Sequence, residues 1–338
     1  MRKKYAMIGL TIFISAALWA NSLNEKTQDS FTGDTIVMKV GKCSITVSEA
    51  MIYLLNCRQQ IESEWGTDMW SAETGTNQDG TPITYEEEVK EDILNDLKVE
   101  KTLYQEAQKE GLSLSKKEKK KCKKLAEKEI SKFHSEDLIT YEITVEKVSS
   151  YYKEQKLVEK MYNQILKDFE AEYDPEDYKQ MTVYGVLFPT FENNEDGEQI
   201  EMSQKQKHIQ EKNAYEAYQK VSSGEKITNI AKEYKLEYAG EKTFRLSQMD
   251  EEYWKEFKNL EDGQLSNMLV NENGYVFVQM VCRDDKEKEK EAIAEEIEKQ
   301  KKEMFDRCYE ENYKELYKVK MEEDVWKQLP LASESDET

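Results

Sequence analysis

A mainly α-helical chain carrying an inserted α+β module is what the sequence predicts, and three observations predict it. Helix breakers are scarce, with 13 Gly and 4 Pro among 338 residues, so long helices can run uninterrupted. Apolar residues recur at helical spacing in long stretches on both sides of a central segment. Within that segment, 176–283, the pattern changes to strand-like alternation, two helices and turn-rich strands.

At the start, Arg2, Lys3 and Lys4 precede the apolar run Ala6 to Ala20, and Asn21 to Asp34 is polar. That is the order of a secretory signal. The run falls short of the roughly 20 apolar residues that a membrane span needs. Residues 1–20 are therefore read as a signal peptide or membrane anchor, and 21–35 as a linker. Cleavage after Ala20 meets Leu18 where a small residue is preferred, so retention as an anchor is the alternative.

Residues 36–175 are expected to form the first part of a helical body. Ile36 to Val47 reads as a strand pair turning at Gly41, and Thr46 with Glu49 has the spacing of a capping box opening a helix. Trp65 to Tyr85 reads as a loop, pinned to the body by Trp65 and Trp70. From Glu86 to Gln108, Val89, Ile93, Leu97, Leu103 and Ala107 mark one amphipathic helix, and Gly111 stands where a C-terminal cap belongs. Ser115 with Glu118 starts the next, and a third is expected from Thr144 to Phe169, before Asp174-Pro175.

In the central segment, Val183 to Phe188 alternates as a strand and Glu192 to Ser203 reads as a polar loop. From Lys286 to about Tyr317 a charged helix resumes the earlier style, and Val319, Met321, Val325, Trp326 and Leu329 are expected to return to the first body. Residues 284–330 thus complete that body, and 331–338 form a disordered tail.

Composition removes several classes of function. A net charge of −21 repels a phosphate backbone, which excludes nucleic acid as the general ligand. The lysine run from Lys116 to Lys124 is a local exception, read as one solvated helix face or as a contact for anionic lipid or cell-wall polymer. Cys43, Cys57, Cys122, Cys282 and Cys308 show no metal-ligand spacing, and their odd number argues against a disulfide framework. His134 and His208 lie in unrelated segments and give little material for a metal site or a nucleophilic triad.

The order of these pieces resembles the SurA and PrsA type of extracytoplasmic foldase. The run Ile93 to Leu114, with Glu100, Leu103, Ala107, Gly111 and Leu112 followed by Ser115 and Glu118, resembles the N-terminal chaperone domain of that group. Met249, Tyr253, Phe257, Leu260, Gly263, Leu265, Ser266 and Gly274-Tyr275 resemble the second half of a parvulin domain. Val183 to Phe188 looks like its first strand, Ala214, Ala217 and Tyr218 like its first helix, and Gly224, Ile230, Ala231 and Tyr234 like its second.

Parvulin activity is associated with two histidines, one in the first strand motif and one after the Gly-Tyr of the last strand. Here Gly185 and Val276 hold those positions, Lys235-Leu236-Glu237 replaces the usual polar run, and Glu241 follows Gly240 where further glycine is expected. The catalytic residues of the family therefore do not carry over, and none is assigned. Isomerisation of an X-Pro bond over its barrier of about 20 kcal/mol needs a desolvating pocket that favours the twisted amide, with no proton transfer or covalent step. Met249, Tyr253 and Phe257 are the candidates to hold the substrate; ordinary core is the other reading of the same three side chains.

What the resemblance implies is a folding factor acting outside the cytoplasm, secreted or anchored at the outer face of the membrane, with unfolded or newly exported polypeptides as partners and no cofactor or metal. Most isomerase activity is expected to be lost with the histidines. Two alternatives stand beside it: an active prolyl isomerase with a rearranged site, and a non-enzymatic envelope-interaction protein.

Overall fold

The computed structural model describes residues 31–77, 80–194 and 198–332; the signal or anchor segment read at 1–20 lies outside the described residues. Among the described residues, no helix is long and apolar enough to cross a membrane.

Strands β1 (Ile36–Val40) and β2 (Cys43–Thr46) pair antiparallel around Gly41, at φ 57°. A side chain at Gly41 would also run into Gln105 and the Tyr317 ring, so glycine is required twice over. Helix α1 (Val47–Trp65) begins where the Thr46 hydroxyl accepts the Glu49 N–H at 3.4 Å. Only half of the expected capping box forms, because the Glu49 carboxylate turns to Lys101 instead.

The stretch expected as a loop holds more structure than its composition suggests: a 3-10 turn (Thr67–Ser71) and a hairpin of β3 (Glu73–Thr76) and β4 (Pro82–Thr84). Trp70 pins it, with its Nε1–H donating to Glu62 at 2.9 Å and its ring stacked on Tyr85 at 5.8 Å. Trp65 does not, being 67% exposed.

Helices α2 (Tyr85–Lys109) and α3 (Lys116–Glu129) each open on a complete capping box, Thr84 with Glu87 and Ser115 with Glu118. A short α4 (Ser135–Thr140) precedes α5 (Val145–Ile165), which is capped by Thr144 and stops four residues before the expected Phe169.

The central segment follows as β5 (Gln180–Pro189), β6 (Phe191–Asn193), β7 (Gln199–Glu201), α6 (Gln204–Ser222), α7 (Ile227–Glu233), β8 (Ala239–Arg245), α8 (Glu251–Phe257), β9 (Leu269–Asn271) and β10 (Gly274–Cys282). The supposed polar loop after Glu192 is the β6–β7 hairpin. Helix α9 (Lys286–Asn312) ends short of the expected Tyr317, and β11 (Val319–Met321) and α10 (Glu323–Lys327) close the chain.

The chain divides into two compact units, one of residues up to Phe169 together with those from Lys302 on, the other of Glu170–Lys301. In the first, β11 pairs antiparallel with β1, giving the sheet order β11-β1-β2. Trp326 and Leu329 pack into one core with Met38, Leu54 and Leu97, while Phe305 and Tyr309 share a second with Leu103 and Met161. Leu331, assigned to the tail from sequence, is fully buried in the first of these cores; its N–H donates to Glu86 at 3.1 Å.

In the other unit an antiparallel sheet of order β8-β5-β10-β9 has two apolar faces. Alternation sends Val186, Phe188 and Phe277 to the side covered by α6 and α7, where they meet Ala214, Ala217, Ile227 and Ile230. Met181, Val183, Val278 and Met280 go to the opposite side.

Candidate functional site

That opposite face brings the predicted site residues together. β5 turns Met181 and Val183 toward it, and by the same period of two it turns Gly185 there; β10 contributes Val276, Val278 and Met280. In register, Gly185 stands between Val278 and Gly240, and Val276 between Leu187 and Leu269. A Cβ at Gly185 would lie 3.5 Å from Val278 Cγ1, an ordinary contact, so the backbone leaves room for a side chain there. The two positions that the resemblance gives to histidine are thus diagonal neighbours on one face of one strand pair.

Helix α8 lies over this face. Its one-turn spacing aligns Tyr253 and Phe257, whose rings stack at 5.7 Å, and Phe244 from β8 closes on both at 6.3 and 6.1 Å. Met249, just before the helix, and Leu269 from β9 complete the wall. Of the three residues singled out from sequence, Phe257 is 1% exposed and acts as floor, whereas Met249 and Tyr253 are part-buried at the rim. The Asn271 amide donates to the Tyr253 hydroxyl at 3.2 Å, holding the ring on its edge.

Beyond β9, the segment after α8 is sewn to β10: Ser266 N–H donates to Val278 O at 2.8 Å, and Val278 N–H donates to Ser266 Oγ at 3.0 Å. Gly274 opens β10 at φ 134° against the Phe188 carbonyl, a conformation and closeness that admit no side chain.

Sequence reasoning missed Phe244 and Leu269 as parts of the wall. Phe244 stands in a strand, Ala239–Arg245, that shows no apolar alternation, and Leu269 sits in a three-residue strand too short to show a period.

Neither histidine is near this face. His134 occupies the N-cap position of α4 in the other unit, and His208 is exposed on α6, on the far side of the sheet, with Nδ1 3.2 Å from Glu211. All five cysteines are free thiols, and burial pushes that of Cys57 up to about 11. Among the described residues, no group of three or more His, Cys, Asp or Glu side chains is placed to hold a metal ion. A shallow recess of about 230 Å³ between α6 and the segment after α7 is lined by Phe188, Tyr234 and Tyr238, and takes in none of the predicted residues.

The arrangement offers an apolar shelf with one hydroxyl at its rim. Its inner residues are buried under α8, Met249, Tyr253 and Val276 are part-buried at its edge, and none of its residues is a histidine.

No family model matches the chain. The foldase protein PrsA of Caldanaerobacter subterraneus subsp. tengcongensis is 26% identical to it over 286 residues, which is 81% of each protein. Among solved structures, a SurA-like chaperone of Campylobacter jejuni aligns over 85% of this chain and 98% of its own, with 12% identity and a TM-score of 0.29. PrsA from Bacillus subtilis aligns over 72% and 93%, with 19% identity and a TM-score of 0.26. Superpositions this loose fix no residue of the site. On the match across four fifths of both sequences, the chain is similar to the SurA and PrsA type of foldase.

Proposed function

We propose that this protein is an extracytoplasmic folding factor that binds unfolded or newly exported polypeptides. In this reading residues 176–283 are a parvulin-like domain inserted in a helical chaperone body of 36–175 and 284–330, and that domain has lost most isomerase activity. The observation that carries it is the shelf itself: Met249, Tyr253 and Phe257 keep an apolar wall over β5 and β10, while Gly185 and Val276 stand at the positions that the resemblance gives to histidine. A wall without an orienting network favours holding over turnover. The similarity to a PrsA foldase supports the same reading.

Two measurements test it. The purified protein is expected to suppress aggregation of a denatured client; no suppression at excess removes the proposal. Met249→Ser together with Tyr253→Ser, at positions only part-buried, should weaken client binding by about tenfold, in keeping with the apolar area removed. On an Xaa-Pro peptide followed by exchange NMR, isomerisation should proceed close to the rate in buffer, and strong acceleration by the unmodified protein would restore the enzymatic alternative.

A further inference from the structure

Helix α3 carries eight lysines against three glutamates, a local excess of five positive charges in a chain of net charge −21. All eight lysines, from Lys116 to Lys128, are exposed, and among the described residues none of them forms an ion pair. Helix α9 behaves differently, pairing Lys286, Lys288, Lys301 and Lys302 with carboxylates three or four residues away. Two of the three glutamates on α3 are already engaged, Glu118 by Lys160 of α5 at 2.9 Å and Glu129 by Lys132 at 2.8 Å.

At 100° per residue the lysines fan over an arc of roughly 200° along a helix of about 21 Å. Cys122 and Ala126 occupy the remaining side and are buried, with Cys122 Sγ 3.5 Å from the Tyr152 carbonyl of α5. Acidic residues elsewhere do not cancel this field at contact range, because at physiological salt charges are screened over about 8 Å.

We infer that α3 is a docking site for a flexible polyanion bearing repeated phosphates. Charge complementarity selects an anion, and the shape of the patch selects a flexible chain over a bilayer. A helix that lies in a membrane surface needs an apolar face to insert. On α3 that face is spent against α5, leaving only Leu125, 39% exposed. A flat surface meets one side of the fan, whereas a chain can follow the whole arc. This site shares no residue with the apolar shelf.

Inorganic polyphosphate is the probe, titrated into the full-length protein at several salt concentrations. Affinity should fall with salt along a log–log slope of about −3.5 to −5, the release expected from about five to seven phosphate contacts on a single-stranded polyanion. Replacing Lys119, Lys120, Lys123 and Lys124 together by Gln should weaken binding by at least roughly tenfold at low salt and flatten the slope. The same four-fold change at Lys286, Lys288, Lys301 and Lys302, with circular dichroism confirming helix content in both variants, should leave affinity within about twofold. Absence of binding at low salt, or equal loss in the two variants, overturns the inference. So does tighter binding to vesicles containing anionic phospholipid than to polyphosphate, which would make the patch a membrane contact.

Discussion

Replacing Lys101 by Met is expected to destabilise the first unit by about 3 to 5 kcal/mol, read from chemical denaturation. Lys101 on α2 is 3% exposed, and its ammonium is paired with Glu49 of α1 and Glu154 of α5, so one cation ties three helices together. Burial by itself would lower the pKa of this ammonium; the charges of Glu49 and Glu154 and their hydrogen bonds override it and hold the group above the ordinary lysine range. Methionine matches the apolar stem and fills the same space, yet it leaves two part-buried carboxylates facing each other without a cation. Adding Glu49→Gln and Glu154→Gln to the same protein should therefore recover a large part of the loss, because the cost lies in the unpaired charges more than in the missing bridge. A single-variant loss below about 1 kcal/mol would show that solvent reaches the cluster and screens it.

The neighbouring Glu100 gives the second large effect, and one that depends on pH. It accepts hydrogen bonds from the Tyr53 hydroxyl of α1 and the Gln155 amide of α5, and Tyr151 packs edge-on against Tyr53 at 4.8 Å. Burial pushes its carboxyl up from the usual 4.5 to about 7, against the pull of the two hydrogen bonds and of Lys101, with Asp96 adding to the rise. The folded state therefore binds a proton more tightly than the unfolded chain does. Its contribution to stability is fully present below about pH 4.5 and is lost as pH rises through about 7. The change amounts to at most about 3 kcal/mol, reduced by the partial exposure of the residue. Glu100→Gln keeps an oxygen for both donors and removes the titration. The variant should match the parent at pH 4.5 and be the more stable of the two at pH 8. Denaturation midpoints of the two proteins that stay parallel between pH 5 and pH 8 would refute this.

Much of the helical scaffold could be read from the residues because its signals are local. Thr84 with Glu87 and Ser115 with Glu118 mark helix starts within four residues of chain, and the spacing of Val89, Ile93, Leu97, Leu103 and Ala107 marks the buried side of α2. The misses are also local in cause. The hairpins β3–β4 and β6–β7 have strands of three or four residues, too few to show an alternation, and nothing in their composition separates them from loops. Trp65 and Trp70 are alike as residues, yet Trp70 finds Glu62 and Tyr85 while Trp65 faces solvent.

For the site, the three candidate side chains and the two positions that the resemblance gives to histidine were legible from spacing and resemblance. Their meeting on one face was not, because it needs the pairing register of β5 with β10 and the placement of α8 across them. By itself the sequence determined several helix starts, those after Thr84, Ser115 and Thr144 among them, and that positions 185 and 276 hold glycine and valine. Only the tertiary structure decided that Glu49 leaves its cap for Lys101, that β11 joins β1 from nearly three hundred residues away, and that Phe257 is floor while Met249 and Tyr253 are rim. Periodicity and capping follow from hydrogen bonds within a few residues, whereas charge pairing, sheet closure and exposure depend on side chains that the chain brings together only once it has folded.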